Sequence, residues 1–187
     1  MNQGWIGNYS YFRARIDSES TAIVDVDTEK RYTYGQLDAR ANRLASALRK
    51  QFGIVKGDRI AFLSRNRVEL IDAYFATGKL GAVLVPYNAR LTAEELTQLI
   101  RSERPKALFY EGDFAATALR LQEADVIPAF VTLDAGKNAA GHCTYDSVLE
   151  NGSAAPVFCH ELQLEDIHLI IHTGGTTGLP KGGLISH

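Results

Sequence analysis

Short, unbroken apolar runs alternate along this chain with longer segments whose apolar residues recur at helical spacing. That alternation restricts the fold more than any other feature. Arg59-Ile60-Ala61-Phe62-Leu63, Gly81 to Val85, Lys106 to Tyr110, Ala129 to Leu133 and Ile167 to Ile171 read as strands with continuous apolar cores. Pro86, which lacks the donor a central ladder needs, stops the second of these. Helices are predicted between them. Leu37, Ala41, Leu44, Ala45 and Leu48 form one stripe. Val68 to Leu80 forms a second helix, with Leu70, Ile71, Tyr74 and Phe75 as its expected core face, and Leu96, Leu99 and Ile100 mark a third. Strands alternating with helices in this way predict an α/β protein with a mostly parallel sheet flanked by helices.

Local signals fix several boundaries. Thr33 with Gln36, and Thr92 with Glu95, have capping-box spacing, in which each side chain satisfies a free backbone N–H of the first helical turn. Gly53 closes the first helix, because glycine enters the left-handed region without steric cost. Thr21-Ala22-Ile23-Val24 and Arg31 to Tyr34 are extended, Phe114 to Glu123 is helical, and Pro105 ends the helix before it. Residues 135–161, rich in Gly, Ala, Ser and Asn, read as a connecting arm with one helix at Tyr145 to Glu150.

Composition removes several classes of function. Twenty Lys and Arg balance 22 Asp and Glu among 187 residues, with no basic run, so no nucleic-acid footprint is present. No apolar stretch approaches the ~20 residues of a membrane span, and no signal-peptide pattern opens the chain. Cys143 and Cys159 show neither a disulfide framework nor zinc spacing, and His142, His160, His168, His172 and His187 show no metal-ligand spacing. A cytoplasmic protein that binds no metal through these side chains is expected.

The concentrated chemistry lies near the end, in Thr173-Gly174-Gly175-Thr176-Thr177-Gly178-Leu179-Pro180-Lys181-Gly182. Glycines let backbone N–H groups approach an anion closely, threonine hydroxyls donate to phosphoryl oxygens, and Lys181 supplies a positive charge. This is not a Walker loop, because Pro180 precedes the lysine and Gly182 follows it. Pro180 also disfavours helical geometry at Leu179, so a phosphate loop between extended segments is expected.

Thr173 to Gly182 closely resembles the T-[SG]-G-T-T-G-x-P-K-G signature of the adenylate-forming superfamily, which includes acyl-CoA synthetases, peptide-synthetase adenylation domains and luciferases. Similarity extends upstream through Tyr32 to Leu37, Ala41 to Ala45, Gly57 to Ala61, and Gly78 to Thr92. These segments look most like the N-terminal part of fatty or aryl acyl-CoA synthetases. Gly174 stands where Ser is commoner, His172 where Tyr is frequent, and Gly183 where Val or Ala is usual, a change expected to loosen the strand after the loop.

The resemblance implies a partial N-terminal (AMP-binding) domain over residues 1–187, with strand and phosphate loop at 167–187 and the C-terminal domain absent. It implies a carboxylate, ATP with Mg2+, and coenzyme A as the reactants of the complete enzyme. It assigns phosphate contacts to Thr173, Gly174, Gly175, Thr176, Thr177, Gly178 and Lys181, the last stabilising charge, and aligns His187 with a His that opens the next helix. Asn88 and Arg90 read as turn residues, and Asp58 and Arg59 as pins of a surface turn. The isolated chain is expected to be inactive, and to form dimers or associate through an apolar face left open. An amino-acid-activating domain and a non-catalytic nucleotide-binding or interaction module stay open as alternatives.

Overall fold

The computed structural model describes residues 5–138, 141–173 and 180–187. A helix, α1 (Ile6–Ile16), precedes an antiparallel pair, β1 (Thr21–Val24) and β2 (Arg31–Thr33). The chain then runs α2 (Tyr34–Phe52), β3 (Arg59–Leu63), α3 (Val68–Leu80), β4 (Val83–Pro86), α4 (Ala93–Glu103) and β5 (Ala107–Tyr110). It continues through α5 (Ala115–Glu123), β6 (Phe130–Thr132), β7 (Cys143–Thr144), α6 (Tyr145–Glu150), β8 (Ile167–Thr173) and β9 (Lys181–Ser186). Among the described residues, β3 to β9 form one sheet in the order β7-β6-β5-β3-β4-β8-β9. Neighbours are parallel except β8 and β9.

The unbroken apolar strands are used on both faces. Ile60, Phe62, Leu84, Phe109 and Val131 point into one core with Leu44, Leu48, Ala73, Ala76, Leu80 and Val148 of the helices above. Their immediate neighbours Ala61, Leu63, Val83, Val85, Leu108 and Tyr110 point into a second core with Leu96, Leu99, Ile100 and Leu121. Alternation along each strand therefore serves two apolar layers, which explains the absence of polar breaks. Phe62 and Phe109, on adjacent strands, stack with centroids 5.0 Å apart.

Both capping boxes form as the spacing predicts, with Thr33 accepting from the Gln36 N–H and Thr92 from the Glu95 N–H. Gly53 ends α2 at φ +61°.

The structure corrects two expectations. Gly81 is not strand: it caps α3 at φ +67°, and β4 begins at Val83. The buried face of α3 is rotated from the one expected. Ile71 is 37% exposed, Leu70, Tyr74 and Phe75 are only partly buried, and Asp72, Ala73, Ala76, Thr77 and Lys79 lie inside. The rotation has a physical cause in α1, for which the sequence reading assigns no element. A β-carbon on Gly7 would lie 2.3 Å from the backbone of Gly78 and Lys79, so the two helices cross with their main chains in contact. That crossing draws the small-residue side of α3 inward. Within 135–161 the described residues supply β7, which joins the sheet edge, and α6 at the predicted residues. Gly183 lies within β9, where it pairs with Ile171.

Candidate functional site

Parallel α/β sheets bind ligands outside the carboxyl ends of their strands, at points where the strand order reverses. Here the chain passes from β3 to β4, crosses back to β5 on the far side of β3, and after β7 crosses again to lay β8 beside β4. β4 and β8 are therefore neighbours whose continuations diverge, one towards α4 and one into the glycine- and threonine-rich loop. Thr173, the last residue of β8, therefore stands at an end of the sheet where this architecture places ligands.

The two ends of that loop are held together. Thr173 is the last residue of β8 and Lys181 the first of β9, and they are directly paired in the antiparallel ladder. The Thr173 hydroxyl donates to the Lys181 carbonyl at 3.4 Å. Both residues are exposed. Strand lies on either side of the loop, with no helix following Lys181 in the described residues. Of the predicted phosphate contacts, the structure places Thr173 and Lys181 together; Gly174, Gly175, Thr176, Thr177 and Gly178 lie outside the described residues.

Beneath the hairpin mouth is a polar cluster that the sequence reading does not identify. Glu103, the last residue of α4, accepts from the Tyr87 hydroxyl at 2.7 Å through one carboxylate oxygen. Its other oxygen lies 2.6 Å from His172 Nε2. A carboxylate offers only acceptors, so His172 carries its proton on Nε2. The Tyr87 and His172 rings lie 5.4 Å apart. The Tyr87 side chain is buried, and burial, reinforced by the Glu103 charge, raises its hydroxyl well above the ordinary tyrosine range. The Glu103 backbone is also held: its carbonyl accepts from Arg59 Nε at 2.6 Å and the Arg104 carbonyl from Arg59 Nη2 at 3.1 Å. Arg59, expected to pin a surface turn, thus ties β3 to the end of α4. It also donates to the Gly57 carbonyl.

The remaining candidates take structural positions. Asn88 Oδ1 accepts from the Arg90 N–H, and Asp58 accepts from the Val55 N–H and pairs with Lys106 at 2.7 Å. His142 is held between the Tyr110 hydroxyl at 2.8 Å and Gln122 at 3.0 Å. His168 packs against Tyr74 and His187 with centroids 4.7 Å away in each case. Burial, with the His187 charge, pushes His168 down to about 3. His187 follows β9, in no helix, and its N–H donates to the Asp166 carbonyl. Among the described residues no cluster of His, Cys, Asp and Glu has the makings of a metal site. Glu103 uses one carboxylate oxygen on Tyr87 and the other on His172.

Comparison with known proteins agrees with this topology. A family model described as "AMP-binding enzyme" matches residues 12–187. The long-chain-fatty-acid–CoA ligase FadD13 of Mycobacterium tuberculosis is 35% identical over the whole of this chain, which spans 35% of that ligase. A feruloyl-CoA synthase of Amycolatopsis is 32% identical, again over the whole chain and 34% of the synthase. Among solved structures, the N-terminal domain of FACL13 from M. tuberculosis superposes with a TM-score of 0.80 at 29% identity, covering all of this chain and 44% of that one. The chain belongs to the AMP-binding enzyme family. It corresponds to the N-terminal part of acyl-CoA ligases and spans about a third of the length of the curated relatives it matches. No helix of the described residues is long and apolar enough to cross a membrane.

Proposed function

We propose that this chain is the phosphate-gripping part of an AMP-forming acid–CoA ligase. In the reaction proposed, a carboxylate oxygen attacks the α-phosphorus of ATP, forming an acyl–phosphate anhydride. The bond from that phosphorus to the bridging oxygen of the β-phosphate breaks, and pyrophosphate leaves with the electron pair. The thiolate of coenzyme A then attacks the acyl carbon and releases AMP. Catalysis of the first step requires cations and N–H donors where charge accumulates on the leaving pyrophosphate. Thr173, Gly174, Gly175, Thr176, Thr177, Gly178 and Lys181 are assigned that role: hydroxyls and main-chain N–H groups from the loop, and an ammonium from Lys181. The named ligases act on a long-chain fatty acid and on ferulate, so a carboxylic acid with a substantial apolar body is the proposed substrate. The setting proposed is the cytoplasm, with fatty- or aryl-acid activation as the metabolic context, and the 187-residue chain alone is proposed to bind nucleotide without turnover.

What supports the reading is the hairpin that sets Thr173 opposite Lys181 at the carboxyl end of β8, within a chain matched to the AMP-binding family almost from end to end. Calorimetric titration with ATP and with inorganic triphosphate tests it. Both are expected to bind, and Lys181→Ala is expected to weaken both by tenfold or more, since an ionised hydrogen bond contributes about 1.5–3 kcal/mol. A folded wild-type chain that binds neither overturns the proposal.

A further inference from the structure

The geometry points to Glu103 as a positioning residue that fixes the mouth of the phosphate loop by gripping the ends of β4 and β8 at once. This inference rests on the phosphate-binding reading above, but it concerns a residue outside the loop motif.

Tyr87 is the first residue after β4, and His172 is the residue before Thr173 in β8. These strands are parallel neighbours in register at Leu84 and Leu169, so Tyr87 and His172 stand side by side three positions further on. Glu103 comes up from α4 between their polar atoms. The His172 side chain is 2% exposed and the Glu103 side chain 12%. A carboxylate at this depth needs its donors, and Tyr87 and His172 at this depth need its oxygens as acceptors. The three groups therefore hold one another in a single arrangement, and the backbone of His172 runs directly into the loop.

The opposite strand is shaped to the same cluster. Gly182 pairs with His172. A β-carbon there would lie 2.8 Å from Ile170 Cγ2, 3.7 Å from Glu103 Oε1 and 3.8 Å from His172 Nε2. Glycine lets β9 lie flat over the cluster, which brings Lys181 opposite Thr173. Arg59 then clamps the Glu103 carbonyl, so the carboxylate is held at a fixed height. Glu103 acts through His172, whose imidazole it holds.

Hydrogen exchange and triphosphate titration of the 187-residue chain separate this role from general packing. Glu103→Gln keeps the side-chain volume but presents an amide in place of one acceptor, and His172→Phe removes the donor. Both are expected to raise the Kd for inorganic triphosphate about tenfold. Both should also remove exchange protection from Ile171–Thr173 and Lys181–Gly183 while β3 and β5 stay protected. His172→Gln, whose amide can still donate to Glu103, is expected to restore most of what His172→Phe loses. Unchanged protection at the hairpin in Glu103→Gln overturns the inference, as does an even loss across β3, β5 and β8, which marks a structural role only. Unchanged triphosphate affinity in both variants overturns it too. If the wild-type chain binds no triphosphate, the phosphate-loop reading falls, and the exchange pattern alone decides the clamp.

Discussion

Lys79 Nζ lies 2.8 Å from Asp38 Oδ1 between α2 and α3, with the lysine side chain fully buried. Ser10 of α1 and Asn42 of α2 donate to the same carboxylate, so a single buried acid joins three helices. Burial pulls the Lys79 ammonium below its ordinary value against the attraction of Asp38.

Removing one partner of such a pair strands the other charge. Lys79→Met is therefore expected to lower the unfolding free energy by about 3–5 kcal/mol, read by urea denaturation. Converting Asp38 to Asn in the same chain should recover a large part of that loss. A Lys79→Met chain as stable as wild type would show that the pair contributes nothing net.

The crossing of α1 and α3 leaves no space at two glycines. Gly78→Ala places a β-carbon 2.8 Å from the Gly7 nitrogen and 3.3 Å from the His168 ring. Main chain does not yield as a flexible side chain does, and we expect a loss of about 1–3 kcal/mol with early proteolysis within α1. Wild-type resistance of α1 to trypsin in this variant would contradict the close crossing.

His168 gives the stability a defined pH dependence. Its folded value, about 3, lies below the ordinary histidine value of 6.5, so between those limits the unfolded chain binds the proton and the native chain does not. Stability from this site is fully present above pH 6.5 and is lost progressively as pH falls towards 3. His187, also lowered by burial, acts in the same direction. The expected slope for His168 is up to ~1.4 kcal/mol per pH unit, and His168→Gln should flatten it in denaturation curves at pH 4.5 to 7. An identical slope in the variant would rule His168 out as its source.

Strand β9 is exposed at every residue, with Leu184 at 63% and Ile185 at 43%, and it is the last strand of its sheet among the described residues. An uncovered apolar edge strand invites pairing with another chain. Light scattering is expected to show concentration-dependent association, reduced by Leu184→Lys. A monodisperse monomer that binds no apolar dye would contradict this.

The sequence made the sheet and its helices legible where several local signals agreed. Residues Arg59 to Leu63 and Val68 to Leu80 match the predicted strand and helix end for end, because an unbroken apolar run and a clear turn bound each. Helix α1 was not legible: its buried residues are Gly7, Asn8 and Ser10, which make no apolar stripe. The two-residue β7 carries too little pattern to be seen. The inward face of α3 depends on backbone contact with α1 and on Asp72, which is buried against Arg40 and Tyr145, and no helical period encodes such partners. At the site, the loop motif was legible as a run of adjacent residues. The Glu103 cluster was not, since its partners stand 16 and 69 positions away on other elements and meet only when the sheet forms.

Arg59 belongs to β3, which lies between β5 and β4 in the sheet interior, and it is the residue that grips the end of α4. The reference point for the entrance of the loop is accordingly the middle of the sheet, and β9 determines only its exit. Fraying of the outer strand would carry Lys181 away from Thr173 while His172 kept its station, so the pairing would be lost from one side only, about one fixed post.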